Sequence, residues 1–329
     1  MRIAINGMGR IGRLLFRRLT GHPDIEIVAV NDIMPPANLG YLIKYDSVYG
    51  AFAGIEYVAA EQELIAGGKR VKVLQEAQPL NLPWKQLNVD VVLECAGLFS
   101  SLDAASQHLK AGAGRVLLST TGSPDIPLMI FGHNHKQLEN DPAIVSPGGC
   151  MTNCSTHILY ILQTIGIESA QATILHSYTS RQELVDTPHK QFRRGRAAAE
   201  SIIPVEIDLP QSVGRLLPGL KDRFAAVSIR VPVANGALAD FSIQMKEDVT
   251  AAQINELFRR AAGEEYKGII DYTEEELVSL DIKGNTHSCI IDGTLTSVIG
   301  RQLKVVAWFD NEYGFTSRMI DWLEYWRKA

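Results

Sequence analysis

The chain has 329 residues, 46% of them hydrophobic and 21% charged, which is enough apolar material for a buried core and enough length to suggest two domains. A formal net charge of -5 argues against a nucleic-acid binder, because neutralising phosphates requires an excess of Lys and Arg. The opening MRIAINGMGR has no apolar leader, and no run approaches the ~18 apolar residues of a membrane span, so a cytoplasmic protein without membrane partners is expected.

Arg2–Ile5 is a short apolar run, followed by a glycine turn and then Ile11, Leu14, Leu15 and Leu19 at helical spacing. Ile25–Val30 forms a second β-branched run that ends at Asn31 and Asp32. Further strands are expected at Val71–Leu74, Val89–Glu94, Arg115–Ser119, Met129–Gly132 and Ile144–Ser146, with a helix over Ser101–Ala111. Short apolar strands alternating with helices point to a parallel, doubly wound sheet.

After Pro147, Gly148 and Gly149 the texture changes. A helix begins near Cys150 and carries Ile158, Leu159, Ile161, Leu162 and Ile165 on its apolar side. Longer alternating runs follow at Ala172–Thr179, Phe224–Val231 and Leu238–Lys246, the pattern of a mostly antiparallel sheet with one covered face. Tyr313–Lys328 reads as an apolar terminal helix that must dock, and the first domain is the expected place. The expected division is therefore 1–149, 150–312 and a docking helix over 313–329.

Gly7, Gly9 and Gly12 make a GxGxxG between the first strand and the first helix. Such glycines permit a tight turn, close backbone approach to a pyrophosphate, and close helix–strand packing, while the helix start supplies N–H groups for the anion. Asp32 ends the next strand 20 residues past Gly12, where a carboxylate meets the ribose diol and repels a 2′-phosphate. These features predict a Rossmann-type α/β domain that binds NAD, followed by an α+β catalytic domain with a mostly antiparallel sheet.

Of four cysteines, Cys95, Cys150, Cys154 and Cys289, none forms a CxxC, and with no HExxH either, no metal is expected. All are expected to be reduced thiols, for which a small core residue is the ordinary role. Cys150 differs in leading a helix, where the dipole favours thiolate over thiol. A nucleophilic Cys150 would attack an aldehyde, lose hydride to a nicotinamide and retain a thioester, with His176 available as base. Spacing alone leaves open the alternative that both are packed core residues.

The residues quoted so far belong to longer motifs. INGMGRIGR (Ile5–Arg13), NDI, YLIKYDSVYG, Cys150-Met151-Thr152-Asn153-Cys154, His176, SIIPV (Ser201–Val205), IRVPV (Ile229–Val233) and WFDNEYGF (Trp308–Phe315) resemble the glyceraldehyde-3-phosphate dehydrogenase family along nearly the whole chain. LPWKQLNVDVVLECAG, FRRGRAAAESIIPV, DRFAAVSIRVP and GIIDYTEEELVSLDIKGNTHSCIIDGT are similar to its erythrose-4-phosphate dehydrogenase branch. The resemblance implies a small phosphorylated aldehyde as substrate, with Cys150 as nucleophile and His176 as base. It implies cofactor contacts at Gly7, Arg10, Ile11, Asp32, Ser119 and Asn311, and a substrate phosphate on Arg230 and Thr179. It also implies a homotetramer, with a loop over 185–204 packed across a subunit interface.

The basic cluster Arg193-Arg194-Gly195-Arg196 lies in that loop, and either Arg194 binds an anion or the cluster makes interface ion pairs. The chain also departs from the family pattern, with Gly149 and Met151 flanking the cysteine where Ser and Thr are usual, and Ile207-Asp208 where Thr-Gly is usual. Those losses remove donors for the phosphate that attacks a thioester, while Arg181, where a smaller or acidic residue is common, adds positive charge. Release by water rather than phosphate is the alternative outcome. A binding or regulatory protein on the same scaffold, and a dehydrogenase using His176 without a covalent step, leave the Cys150–His176 pair or Cys150 unused.

Overall fold

The computed structural model describes residues 1–58, 62–137 and 141–328. The chain divides into two units, one comprising Met1–Gly149 with the segment from Met319 onward, the other Cys150–Arg318.

The first unit is built on β1 (Arg2–Asn6), α1 (Arg10–Leu19), β2 (Glu26–Asn31) and α2 (Pro36–Lys44). A small hairpin, β3 (Tyr45–Asp46) and β4 (Gly50–Ala51), precedes β5 (Ile55–Val58), β6 (Glu63–Ala66) and β7 (Lys69–Leu74). Then come β8 (Val91–Glu94), α3 (Leu102–Lys110), β9 (Arg115–Leu118) and β10 (Ile144–Val145). The sheet order is β10-β9-β8-β1-β2-β7-β6-β5, parallel from β10 to β7 and antiparallel beyond. The parallel core strands are apolar throughout because both faces are covered: Ile3, Ala4, Ile5, Val92 and Leu93 are fully buried. Chain order reverses between β1 and β8, so the carboxyl ends of these two strands flank a topological switch point, where open α/β sheets take their ligands.

The run Met129–Gly132 is not the expected strand: Met129 and Ile130 are irregular, and Phe131 and Gly132 lie in a turn. Asn134 takes its backbone partners: its Oδ1 accepts the Ile130 amide at 2.7 Å, and its Nδ2 donates to the Leu128 carbonyl at 3.1 Å. Gly132 then turns the chain at φ +88°, leaving a single bridge between Leu128 and Ser146.

The second unit begins with α4 (Cys150–Gln163), β11 (Ile167–Ser177) and β12 (Ile203–Val205). α5 (Leu209–Leu216), β13 (Phe224–Val231), β14 (Ala237–Met245) and α6 (Ala251–Gly263) follow, then β15 (Ile270–Thr273), β16 (Cys289–Asp292), β17 (Ser297–Ile299) and β18 (Gln302–Phe309). The sheet order is β12-β13-β11-β14-β18-β16-β15, with β17 paired to β18. Most pairs are antiparallel, but β11–β13 and β15–β16 are parallel. Alternation along β14 buries Ala237, Ala239, Phe241, Ile243 and Met245 on one face. α6 starts sharply at a capping box, in which the Thr250 hydroxyl accepts the Gln253 amide and the Gln253 side chain accepts the Thr250 amide. α7 (Tyr313–Lys328) begins in this unit, and its turns from Met319 belong to the first.

Candidate active site

In the first unit the carboxyl edge of the sheet gathers the glycine turn, Asp32 and Ser119, each directly after its strand. Gly7 has φ +90°, and a Cβ there would overlap the Ala96 nitrogen, so only glycine fits. A Cβ on Gly12 would overlap the Gly7 carbonyl oxygen, whereas Gly9 faces open space. α1 has no side-chain cap, and the amides of its first turn, including those of Arg10 and Ile11, precede the helix's own hydrogen-bond ladder. Asp32 accepts the Met8 amide at 2.6 Å and the Met34 amide at 2.9 Å, which ties it to the glycine turn and leaves each oxygen further acceptor capacity. A tight turn that opens a helix beside an anchored carboxylate fits a dinucleotide: helix-start amides for the pyrophosphate, Asp32 for a ribose. The Arg10 guanidinium is committed to Asp46 and to the Tyr49 ring, so the part of Arg10 suited to the cofactor is its backbone amide.

In the second unit, Cys150 opens α4 and His176 is the penultimate residue of β11. His176 pairs in register with Arg230 on β13, so a parallel pairing of two strands sets imidazole and guanidinium side by side. Cys150 Sγ lies 3.7 Å from His176 Nε2, and His176 Nδ1 donates to the Ser177 carbonyl at 2.7 Å. A carbonyl can only accept, so the proton sits on Nδ1 and the Nε2 lone pair faces the sulfur.

Cys150 stays partly accessible while His176 is 3% exposed. Burial pushes the Cys150 thiol up to about 11, against the pull of Arg230 and of the Met151 and Cys150 amides. The amides at the helix start thus act in the direction expected from the sequence, but desolvation outweighs them. Burial and the Arg230 charge press His176 down to about 3. The resting pair is therefore neutral thiol and neutral imidazole.

Asn311 lies behind this pair. Its Oδ1 accepts the Gly236 amide at 2.9 Å, the Ser177 hydroxyl at 3.2 Å and Asn235 Nδ2 at 3.5 Å. With the oxygen so engaged, the Asn311 amide nitrogen is the end left to donate.

Arg230 is 8% exposed, its Nη1 reaches the Ser177 carbonyl at 3.4 Å, and its Nε has no hydrogen-bond partner among the described residues. Burial holds it down to about 10, helped by repulsion from Arg194 and Arg181, and Arg181 likewise lowers Arg194. Three guanidinium groups thus sense one another, and no carboxylate is ion-paired with Arg230 among the described residues. Such a cluster is stabilised by a bound anion. The Thr179 amide and hydroxyl both donate to Gln182 Oε1 at 3.0 Å, and its hydroxyl oxygen accepts the Arg181 amide at 3.3 Å. Within the basic cluster, Arg196 pairs with Asp186 of the same chain at 2.8 Å, and it is Arg194 of that run whose charge acts on Arg230.

Ser177, Gln182 and Asn235 orient the other groups, and the sequence reading missed all three. The only signal they gave was polarity in buried positions, which is invisible until the strands are paired. Asp208 is exposed at the start of α5 and makes no side-chain cap; no hydrogen bond or ion pair joins it to the arginines among the described residues.

Residues 1–102 match the family model for the NAD binding domain of glyceraldehyde 3-phosphate dehydrogenase, and residues 149–311 match the model for its C-terminal domain. The chain is 40% identical over 324 residues to glyceraldehyde-3-phosphate dehydrogenase 2 of Bacillus subtilis (strain 168), covering 98% of this chain and 95% of that protein. With both units matched and a dinucleotide cradle in the first, the chain belongs to the glyceraldehyde-3-phosphate dehydrogenase family, as an oxidoreductase with NAD as cofactor.

Proposed function

We propose that this chain oxidises a small phosphorylated aldehyde, of the glyceraldehyde 3-phosphate type, through a thioester on Cys150. The observation that carries the proposal is the 3.7 Å approach of Cys150 Sγ to a His176 Nε2 whose lone pair is aimed by the Ser177 carbonyl. Because the resting pair is neutral, His176 removes the thiol proton as sulfur attacks the carbonyl carbon, rather than waiting beside a preformed thiolate. That proton passes to the new alkoxide, giving a thiohemiacetal hydroxyl. His176 then takes the hydroxyl proton as hydride departs, leaving the acyl group on sulfur. Bound NAD supplies the hydride acceptor. Arg230, Arg194 and Arg181 hold the substrate phosphate with Thr179, and Asn311 keeps its amide nitrogen available as a donor to the cofactor. A pure binding protein, or a dehydrogenase without a covalent step, has no use for this aimed pair.

A second reading concerns release of the acyl group. Gly149, Met151 and Ile207 offer no side-chain hydroxyl, and Asp208 carries a charge that repels a dianion, which favours water as the acceptor and erythrose 4-phosphate as the aldehyde. Loop residues Leu184, Val185, Phe192 and Ile202 are 74%, 74%, 89% and 71% exposed, apolar surface that burial between subunits of a homotetramer would remove from water.

The test is NAD reduction with each aldehyde, with and without inorganic phosphate, in the wild type and in Cys150→Ser. The expected result is turnover that needs no phosphate and disappears in C150S, with NAD affinity changed less than about threefold. Turnover retained by C150S would overturn the covalent mechanism, and strong phosphate dependence would overturn release by water.

A further inference from the structure

Beneath the switch point between β1 and β8 runs a chain of buried polar side chains that the acyl chemistry does not use. Trp84 Nε1 donates to His108 Nδ1 at 2.9 Å, and His108 Nε2 lies 2.9 Å from Glu94 Oε2. From the other side, Asn31 Nδ2 donates to Asn6 Oδ1 at 2.6 Å, and Asn6 Nδ2 donates to Glu94 Oε2 at 2.5 Å. The Ala96 amide donates to Glu94 Oε1 at 2.7 Å. Glu94 is 2% exposed and His108 fully buried.

The direction of every bond is fixed from the two ends. An indole N–H can only donate, so His108 Nδ1 accepts and the His108 proton sits on Nε2, facing Glu94. At the other end the Glu76 backbone clamps Asn31, its amide donating to Oδ1 at 2.9 Å and its carbonyl accepting from Nδ2 at 2.8 Å. Asn31 cannot turn over, so neither can Asn6. Three donors therefore converge on the two oxygens of Glu94, and a proton on either oxygen would meet no acceptor among these partners, so the carboxylate is the form that fits. All three donors are neutral, so the charge of Glu94 is buried with no cation among its hydrogen-bond partners.

This anion lies at the carboxyl ends of the two strands that frame the cofactor crevice. It also holds Ala96, which packs against the glycine turn so closely that Gly7 tolerates no Cβ. We propose that Glu94 is a positioning residue of the NAD site whose buried charge makes the crevice favour the oxidised cofactor over the reduced one. The oxidised nicotinamide ring carries a positive charge that the reduced ring lacks, and a fixed anion in a low-dielectric interior is poorly screened from it. The proposal goes beyond the acyl chemistry and is measured without aldehyde, so it can fail while the Cys150 mechanism stands.

The test is calorimetric binding of NAD and NADH to the whole protein and to E94Q, E94A, E94D and W84F. The ratio Kd(NADH)/Kd(NAD) is expected to fall at least about threefold in the neutral variants. It should hold in E94D, which keeps the charge, and in W84F, which removes the indole donor to His108 but leaves the Glu94 carboxylate in place. The rate of Cys150 alkylation should not change in any of them. An unchanged ratio in a folded neutral variant, or an equal shift in W84F, would overturn the proposal. Should both neutral variants fail to fold, E94D decides: both affinities weakened at constant ratio supports it, and a shifted ratio overturns it.

Discussion

His176 is an ordinary imidazole in the unfolded chain and one pressed down to about 3 in the folded protein. Between those values the unfolded chain binds a proton that the folded one refuses, so stability is present above pH ~6.5 and is lost as pH falls toward 3. At pH 5 the loss attributable to this one side chain is about 2 kcal/mol, since each pH step of one below ~6.5 costs about 1.36 kcal/mol. Urea titrations at pH 7 and pH 5 should therefore show a drop that shrinks by about that amount in His176→Asn. An equal drop in both proteins would mean that His176 is not held neutral. The same burial makes the imidazole a weak base at rest, which is why its aim, fixed by the Ser177 carbonyl, matters more than its intrinsic basicity.

At the scale of elements, the β1–turn–α1 unit depends on two contacts that leave no room for a methyl group. In Gly12→Ala the new Cβ runs into the Gly7 carbonyl, so the turn must open. The expected cost is about 1–3 kcal/mol of stability, with NAD affinity lowered about tenfold or more and Cys150 alkylation unaffected. Calorimetric NAD binding and a thermal melt would check this, and unchanged affinity would show that the turn does not form the cradle. This unit was legible in the sequence because its determinants are local: three glycines, a strand before and a helix after. The pairing of His176 with Arg230 was not, because it depends on the register of two strands whose paired residues lie 54 positions apart. The Met129–Gly132 run was misread for a related reason. Its residues suit a strand, but a side chain two residues beyond the run, Asn134, takes the backbone bonds that a sheet would have used.

At the scale of the molecule, the 184–202 loop exposes four large hydrophobic side chains, whose burial a subunit interface would favour. Light scattering should return a mass near four times 36.2 kDa for the wild type. Replacing Phe192 and Val185 by Ser should shift it toward smaller species, with the Cys150–His176 pair intact. A monomeric wild type would leave these side chains without the partner proposed for them.

The C-terminal turns of α7 bear on how the chain is made. Trp322 and Tyr325 meet Phe131 edge-to-face at 6.2 and 6.4 Å, Tyr325 meets His135 at 5.4 Å, and Arg115 sits over the Trp326 ring at 5.3 Å. The first unit therefore draws part of its aromatic core from residues translated after the whole of the second. A ribosome adding ~5–20 residues per second leaves that core open for roughly ten seconds or more after Gly149 has been joined. During that interval the half of the protein that binds NAD waits, incomplete, for the half that carries the thiol.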